Sequence, residues 1–128
     1  MEESKKKKIL LIEDDSVLSN MYKTEFVSEG FDVTVSSNGD DGESKALSNV
    51  YDIILLDIAL PKKNGLTILK HLRGTEKTKN LPVIILTNLN MDDRALVEVI
   101  ENHPSFYLIK SETTPADVVN KINEVLGK

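Results

Sequence analysis

Five short runs rich in aliphatic and β-branched residues recur along the chain, and each has the length of one β-strand. The runs at 9–12 and 53–56 are apolar at every position, which is typical of strands buried on both faces of a sheet. The predicted strands are 8–12, 32–36, 52–56, 82–86 and 106–109. Since segments with helical periodicity separate them, the pattern indicates a parallel sheet with helices on both faces.

The helical segments have recognisable faces and ends. In the first, Leu18, Tyr22 and Phe26 are spaced by four and lie on one face of a helix that Gly30 is expected to end as a C-cap. The other predicted boundaries are polar caps, glycines and one proline: Asn38 and Asn49 for the second helix, Asn64 and Gly74 for the third, Asn90 as N-cap of the fourth, and Thr114, Pro115 and Gly127 for the fifth.

Composition limits the class of protein. The chain has 128 residues, 40% of them hydrophobic, which predicts one domain over 1–128 with residues 1 to about 7 as a polar lead-in and no output domain. The net charge of −5 argues against direct nucleic acid binding, and the absence of cysteine excludes disulfides. No apolar stretch reaches the roughly 18 residues of a membrane span. A cytoplasmic protein without membrane contacts is expected.

Reactive side chains follow four of the predicted strands. Glu13 and Asp14 follow the first strand, Asp57 the third, Thr87 the fourth and Lys110 the fifth. Ligands of parallel sheets bind at this edge, so these side chains are expected to share one cleft. Carboxylates at close range repel one another, and a divalent cation such as Mg²⁺ would relieve that repulsion. The set suits phosphoryl transfer to a carboxylate, with Asp57 as the nucleophile.

Five short motifs, in order and at similar spacing, resemble the receiver domain of bacterial two-component response regulators over essentially the whole chain. They are the acidic strand end at 9–15, the strand end at 55–57, Leu60-Pro61 with Gly65, Leu86-Thr87, and the run at 107–110. The resemblance implies a flavodoxin-like (βα)5 fold. In that fold a doubly wound, five-stranded parallel sheet has the strand order 2-1-3-4-5.

The resemblance also implies roles for individual residues. Asp57 would accept a phosphoryl group from the phosphohistidine of a sensor histidine kinase or a histidine phosphotransferase, and Thr87 and Lys110 would contact that group. Thr87 and Tyr107 would form a switch in which Thr87 moves towards the phosphate and Tyr107 turns inward. The implied Mg²⁺ ligands are Glu13, Asp14, Asp57 and the backbone carbonyl of Ala59.

The switched surface would consist of the fourth helix, the fifth strand and the fifth helix. It would bind a downstream target protein or an output domain on another chain, and a phosphorylation-dependent homodimer is left open. No enzymatic activity is expected beyond the chain's own phosphorylation and dephosphorylation. The alternative is a receiver-like interaction module that works without phosphorylation. A phosphatase is disfavoured because Ala59 stands where a second acid is wanted, and a flavin protein because the loop after the first strand is acidic.

One residue departs from the pattern of the family that the chain resembles, and two histidines have no assigned role. Ser111 follows Lys110, where the family usually has a proline joined through a cis peptide bond. The bond is therefore expected to be either trans with a rearranged loop or cis at a cost of roughly 3 kcal/mol. His71 and His103 have no evident partner in the sequence and are interpreted as ordinary surface or half-buried histidines.

Overall fold

The computed structural model describes residues 6–88 and 92–127. In this part of the chain, strands and α-helices alternate, and a 3-10 turn, Lys110–Glu112, follows the last strand. The strands are β1 (Lys8–Ile12), β2 (Asp32–Ser36), β3 (Ile53–Leu56), β4 (Val83–Thr87) and β5 (Phe106–Ile109). The helices are α1 (Ser16–Ser28), α2 (Gly39–Ser48), α3 (Gly65–Arg73), α4 (Asp93–Glu101) and α5 (Pro115–Leu126).

All five strands lie in one parallel sheet of order β2-β1-β3-β4-β5, which confirms the predicted fold class. Ile12 of β1 lies beside Leu56 of β3, and Thr87 of β4 lies beside Ile109 of β5. Parallel neighbours end at the same edge of a sheet. The residues after β1, β3, β4 and β5 therefore meet in series along one edge.

Alternate residues of the central strands enter two hydrophobic cores, one on each face of the sheet. Leu11 and Leu55 pack with residues of α1 and α5 on one face. Leu10 and Ile54 pack with residues of α2, α3 and α4 on the other face. Complete burial of one such side chain contributes roughly 1.5–3 kcal/mol. The strand ends that carry the polar residues are therefore held on a rigid frame.

Two strands begin one residue later than predicted. β3 begins at Ile53, and β4 begins after Pro82. Proline has no N–H for a strand ladder, although the Pro82 carbonyl accepts a hydrogen bond from the Ile54 amide at 3.0 Å. β4 also ends one residue later than predicted, so Thr87 is its last residue, paired with Ile109 of β5, and not the first residue beyond it.

Two predicted helix ends also move. The C-cap of α1 is Glu29, and Gly30 follows it with a left-handed φ of 95°, so Gly30 is not itself the cap. Asn90 lies outside the described residues, and the N-cap of α4 is Asp92, whose side chain accepts from the Ala95 amide. The other predicted boundaries are confirmed: Asn38, Asn49, Asn64, Gly74, Thr114 with Pro115, and Gly127.

Candidate functional site

Four of the five polar side chains predicted to share a cleft, those of Glu13, Asp14, Asp57 and Lys110, meet at the C-terminal edge of the sheet. Lys110 Nζ lies 2.7 Å from Asp57 Oδ2 and 2.5 Å from Glu13 Oε1. Glu13, Asp14 and Asp57 each offer a carboxylate oxygen, and these oxygens lie within 4.8 Å of one another. No other trio of acidic or histidine side chains in the described ranges meets this spacing. The strand order therefore builds one acidic cleft from residues distant in sequence.

Burial of the charged groups makes this cleft electrostatically strong. The Glu13 side chain is only 2% exposed, that of Asp57 5% and that of Lys110 9%. Burial raises the pKa of Glu13 above its ordinary value, and the opposing effects of Lys110 and the Asp15 amide do not cancel it. Burial alone would lower the pKa of Lys110, but hydrogen bonds to Asp57 and Glu13 outweigh burial and raise it. Three carboxylates and one ammonium leave two negative charges uncompensated.

The segment 57–64, here called the β3–α3 loop, presents Asp57 at the cleft. The Asp57 amide donates to the Ile12 carbonyl at 3.2 Å, and Asp57 Oδ1 accepts from the Ala59 amide at 3.2 Å. Gly65 closes the loop, since its amide donates to the Ile58 carbonyl at 2.9 Å. A Cβ atom at Gly65 would lie 2.2 Å from the Asp57 carbonyl oxygen, so a larger residue there would displace the loop. The carboxylate of Asp57 is thus held in place by its own loop. Ala59, whose amide contributes to this, is exposed.

Thr87 and Tyr107 lie on the same face of the sheet. Ile85 pairs with Tyr107 and Thr87 pairs with Ile109, and directly paired residues of parallel strands point to one face. This is the face that α4 covers, because Ile85 belongs to its core. Thr87 is buried, while Tyr107 is half-buried and burial raises the pKa of its phenol. A movement of Thr87 towards the cleft would therefore change the packing on the face of the sheet where Tyr107 lies.

The loop after β5 shows how Lys110 reaches the acids without a following proline. The Lys110–Ser111 peptide bond is trans, so the first of the two expected alternatives is correct. The Ser111 amide donates to Asn88 Oδ1 at 2.9 Å, and the Thr113 hydroxyl donates to the Ile109 carbonyl at 2.8 Å. These bonds hold the 3-10 turn and place Lys110 Nζ between Glu13 and Asp57.

His71 and His103 are surface residues, as interpreted, but His71 has a partner that the sequence did not reveal. His71 Nδ1 contacts Glu43 Oε2, and Lys63 Nζ contacts the other oxygen of the same carboxylate. The sequence carries no signal for this cluster, because its members come from α2, the β3–α3 loop and α3 with no shared spacing. Glu43 and His71 are 28 positions apart in the sequence and meet only in the tertiary fold.

Comparison with known proteins agrees with this geometry. Residues 9–123 match the family model described as the response regulator receiver domain. The chain belongs to the response regulator receiver family. The resemblance inferred from the sequence motifs is thereby confirmed, together with the assignment to two-component systems.

Two curated relatives of the receiver domain are regulators much longer than the matched segment. Response regulator ArlR of Staphylococcus saprophyticus is 44% identical over 80 residues, which cover 62% of this chain and 35% of that protein. Transcriptional regulatory protein CiaR of Streptococcus pneumoniae is 47% identical over 88 residues, or 68% of this chain and 38% of that protein. The receiver domain thus matches little more than a third of the length of these relatives.

Solved structures show the same fold. The CheY-like receiver domain protein of Methanospirillum hungatei aligns with a TM-score of 0.88 over 96% of this chain and 95% of that one, at 24% identity. The BeF3-activated N-terminal receiver domain of Klebsiella pneumoniae RstA aligns with a TM-score of 0.79 at 31% identity, over 91% and 95% of the two chains. No helix of the receiver domain within the described ranges has the length and apolarity to cross a bilayer.

Proposed function

We propose that this receiver domain is the phosphoacceptor of a two-component phosphorelay and that Asp57 is the residue that accepts the phosphoryl group. The observation that carries the proposal is the position of the Asp57 carboxylate. It is nearly buried at the sheet edge, 2.7 Å from the Lys110 ammonium and beside two further acids. A nucleophilic carboxylate in such a cleft lies beside an ammonium that can stabilise the negative charge of an incoming phosphoryl group.

The chemistry follows from this placement. An Asp57 oxygen attacks the phosphorus of a phosphohistidine on a sensor histidine kinase or a histidine phosphotransferase. The P–N bond breaks, its electron pair goes to the imidazole nitrogen, and an acyl phosphate remains on Asp57. Lys110 would then donate to an oxygen of the transferred group, and Thr87, the last residue of β4, would donate its hydroxyl to another.

The acidic cleft fits a hard divalent cation. Mg²⁺ prefers carboxylates, phosphate oxygens and water, and two uncompensated negative charges in the cleft match its charge. The residues that would hold it are Glu13, Asp14, Asp57 and the backbone carbonyl of Ala59. When bound, the ion would neutralise charge on the phosphoryl oxygens. Asp14 is the exposed member of the acidic trio and so lies on the side open to water.

Phosphorylation would reach partners through the α4–β5–α5 surface. Thr87 and Tyr107 lie on the face that α4 covers, and a shift of Thr87 would change the space available to Tyr107. Large apolar side chains are already exposed on this surface: Val97 at 52%, Ile100 at 57% and Ile109 at 39%. A downstream target protein or an output domain would bind there, and phosphorylation would change its affinity for the surface.

The test is intact mass after incubation with acetyl phosphate and Mg²⁺. Wild type and Asp52→Asn are expected to gain one phosphoryl group, while Asp57→Asn gains none. Asp52 is a matched control because it is an aspartate at the opposite end of the same strand, where its carboxylate accepts from the Lys8 amide. Folded wild type that stays unmodified would instead favour the interaction module that works without phosphorylation. Equal modification of Asp57→Asn would place the acceptor elsewhere.

A further inference from the structure

The first turn of α2 packs directly on the β3–α3 loop. The Gly39 amide donates to the Pro61 carbonyl at 3.1 Å. A Cβ atom at Gly39 would lie only 1.8 Å from the Lys63 carbonyl oxygen, so the loop approaches the helix as closely as glycine permits. The loop that carries Asp57 is therefore supported from outside by α2 as well as by its own hydrogen bonds.

Glu43, one helical turn after Gly39, extends this support. Its side chain is 10% exposed, and each carboxylate oxygen has a separate partner. Lys63 Nζ contacts Oε1 from the end of the loop, and His71 Nδ1 contacts Oε2 from two turns into α3. One carboxylate on α2 therefore ties both the loop and the helix that follows it.

The charges around Glu43 favour its ionised form. Burial on its own would raise the pKa of Glu43, but the hydrogen bonds from Lys63 and His71 outweigh it and lower the pKa. Asp40 lies 3.8 Å from Lys63 Nζ on the exposed side of α2. Lys70, which lines the same surface depression as His71, pairs with Glu98 of α4. Lys63 is thus directed to Glu43 as its nearly buried partner and to Asp40 only at longer range.

The backbone of the loop needs such support. Lys62 has φ 74°, a left-handed conformation that residues with a Cβ atom rarely adopt. It lies between Pro61, which Gly39 holds, and Lys63, which Glu43 holds. Within the loop, the Lys63 amide donates to Pro61 and the Leu60 amide to Ile58. A displacement at Lys63 would pass through these bonds towards Ala59 and Asp57.

We propose that Glu43 is a positioning residue of the phosphorylation site, which through Lys63 and His71 fixes the β3–α3 loop that presents Asp57 and the Ala59 carbonyl. The inference rests on the proposed function for the part that concerns Asp57 and Ala59. Glu43 does not touch the reacting atoms. Its effect on metal binding and phosphorylation is exerted through the geometry of the loop, as outer contacts act on metal ligands in general.

The first experiment measures amide hydrogen exchange by NMR in Glu43→Gln, with Asp40→Asn as a matched control. Both variants remove one negative charge from the first turns of α2, but only the first loses a nearly buried hydrogen-bonded carboxylate. We expect the Leu60 and Lys63 amides to exchange about tenfold faster in Glu43→Gln, because a charge-assisted hydrogen bond is lost. Exchange in β1 and α5 should not change. Unchanged loop exchange in folded Glu43→Gln would overturn the proposal.

The second experiment measures the Mg²⁺ dissociation constant by calorimetry. Glu43→Gln is expected to bind Mg²⁺ about tenfold more weakly than wild type. The dissociation constant of Asp40→Asn should stay within about twofold of the wild-type value, which is too small a change to indicate a displaced metal ligand. Lys63→Met should reproduce the part of the Glu43→Gln effect that passes through Lys63. The double variant should lose no more affinity than Glu43→Gln alone, because that substitution already removes the charged contact of Lys63. Equal Mg²⁺ affinities in all variants, or additive losses in the double variant, would contradict the proposed route.

The two experiments separate the two proposals. If wild type bound no Mg²⁺ and took no phosphate, the proposed function would fail, and loop exchange would still show whether Glu43 holds the loop. If wild type bound Mg²⁺ and Glu43→Gln matched it in both affinity and exchange, the proposed function would stand and the role of Glu43 would fall.

Discussion

Replacement of Lys110 by methionine tests the electrostatics of the acidic cleft. Lys110 Nζ contacts both Glu13 and Asp57, whose side chains are 2% and 5% exposed. Methionine keeps much of the side-chain volume and removes the charge. Two nearly buried carboxylates would then face each other with no ammonium between them.

The expected cost is set by the burial of the partners that remain. Removing one member of a buried ion pair costs about 3–5 kcal/mol, because the other charge is left without compensation. We expect the free energy of unfolding of Lys110→Met to be about 3 kcal/mol below that of wild type at pH 7.5, the lower end of that range. Lys79→Met is the control. Lys79 pairs with Glu76 at the surface, where such a pair contributes at most about 1 kcal/mol.

The pH dependence of the cost has a definite sign. The pKa of Glu13 is already raised in the folded protein, so its ionisation opposes folding as the pH rises through that pKa. Loss of Lys110 removes an interaction that lowers the pKa of Glu13. Ionisation of Glu13 therefore opposes folding more strongly in the variant than in wild type. Lys110 itself stays charged below its ordinary pKa of 10.5, since its folded pKa is raised further, so its own titration adds no pH dependence in the neutral and mildly acidic range. A change in the difference between the two proteins as the pH falls from 7.5 therefore follows the raised pKa of Glu13.

The assay is urea unfolding followed by far-UV circular dichroism at pH 7.5 and pH 5.0. The difference between wild type and Lys110→Met should be larger at pH 7.5 than at pH 5.0, because the Glu13 carboxylate, whose pKa is raised in the folded protein, is protonated to a greater extent at the lower pH. A difference of equal size at both pH values would refute the reasoning, since it would assign the loss to packing alone. So would a variant as stable as Lys79→Met at pH 7.5.

Two further substitutions test contacts away from the cleft, both by urea unfolding. Arg73→Met should lower the free energy of unfolding by about 2–3 kcal/mol, because Arg73 donates to carbonyls in the loops before β4 and β5 and these would lose a charged donor. The exposed Arg94→Met should stay within about 0.5 kcal/mol of wild type, and equal losses in the two variants would contradict this assignment. Gly39→Ala should cost about 1–3 kcal/mol, because its Cβ would meet the Lys63 carbonyl at 1.8 Å. Gly74→Ala, with its nearest neighbour at 3.5 Å, should stay within about 0.5 kcal/mol, and a Gly39→Ala as stable as Gly74→Ala would show that the loop yields at little cost.

The fold and the acidic cleft could be predicted because both depend on patterns that run along the chain. A strand buried on both faces must be apolar at every position, as 53–56 is, and its C-terminal end is then marked by the first charged residue, Asp57. The first residue of a strand could not be predicted in the same way. Pro82 fits the pattern of the strand but has no N–H to donate, so the hydrogen-bonded strand β4 begins one residue later. The N-cap of α4 was misplaced because Asn90 and Asp92 are both good capping residues.

Contacts between side chains of different elements left no such pattern. Glu43 and His71 meet because α2 and α3 pack side by side, and neither residue type nor spacing indicates that pairing. The turn after Lys110 is a similar case. The sequence showed only that proline was replaced by Ser111, while the hydrogen bond from the Ser111 amide to Asn88 depends on β4 and β5 being neighbours.

The charge balance of the cleft links its stability to the proposed chemistry. Folding brings Glu13, Asp14 and Asp57 together at a cost, and Lys110 offsets part of it by bridging two of them. A phosphoryl group on Asp57 would add negative oxygens beside the same ammonium, whose three N–H donors would then be shared between Glu13 and the new oxygens. Phosphorylation would therefore redistribute the contacts of Lys110 and add negative charge that one ammonium does not balance. A divalent cation in the acidic cleft would supply the missing positive charge, so it would relieve the same kind of repulsion before and after phosphorylation.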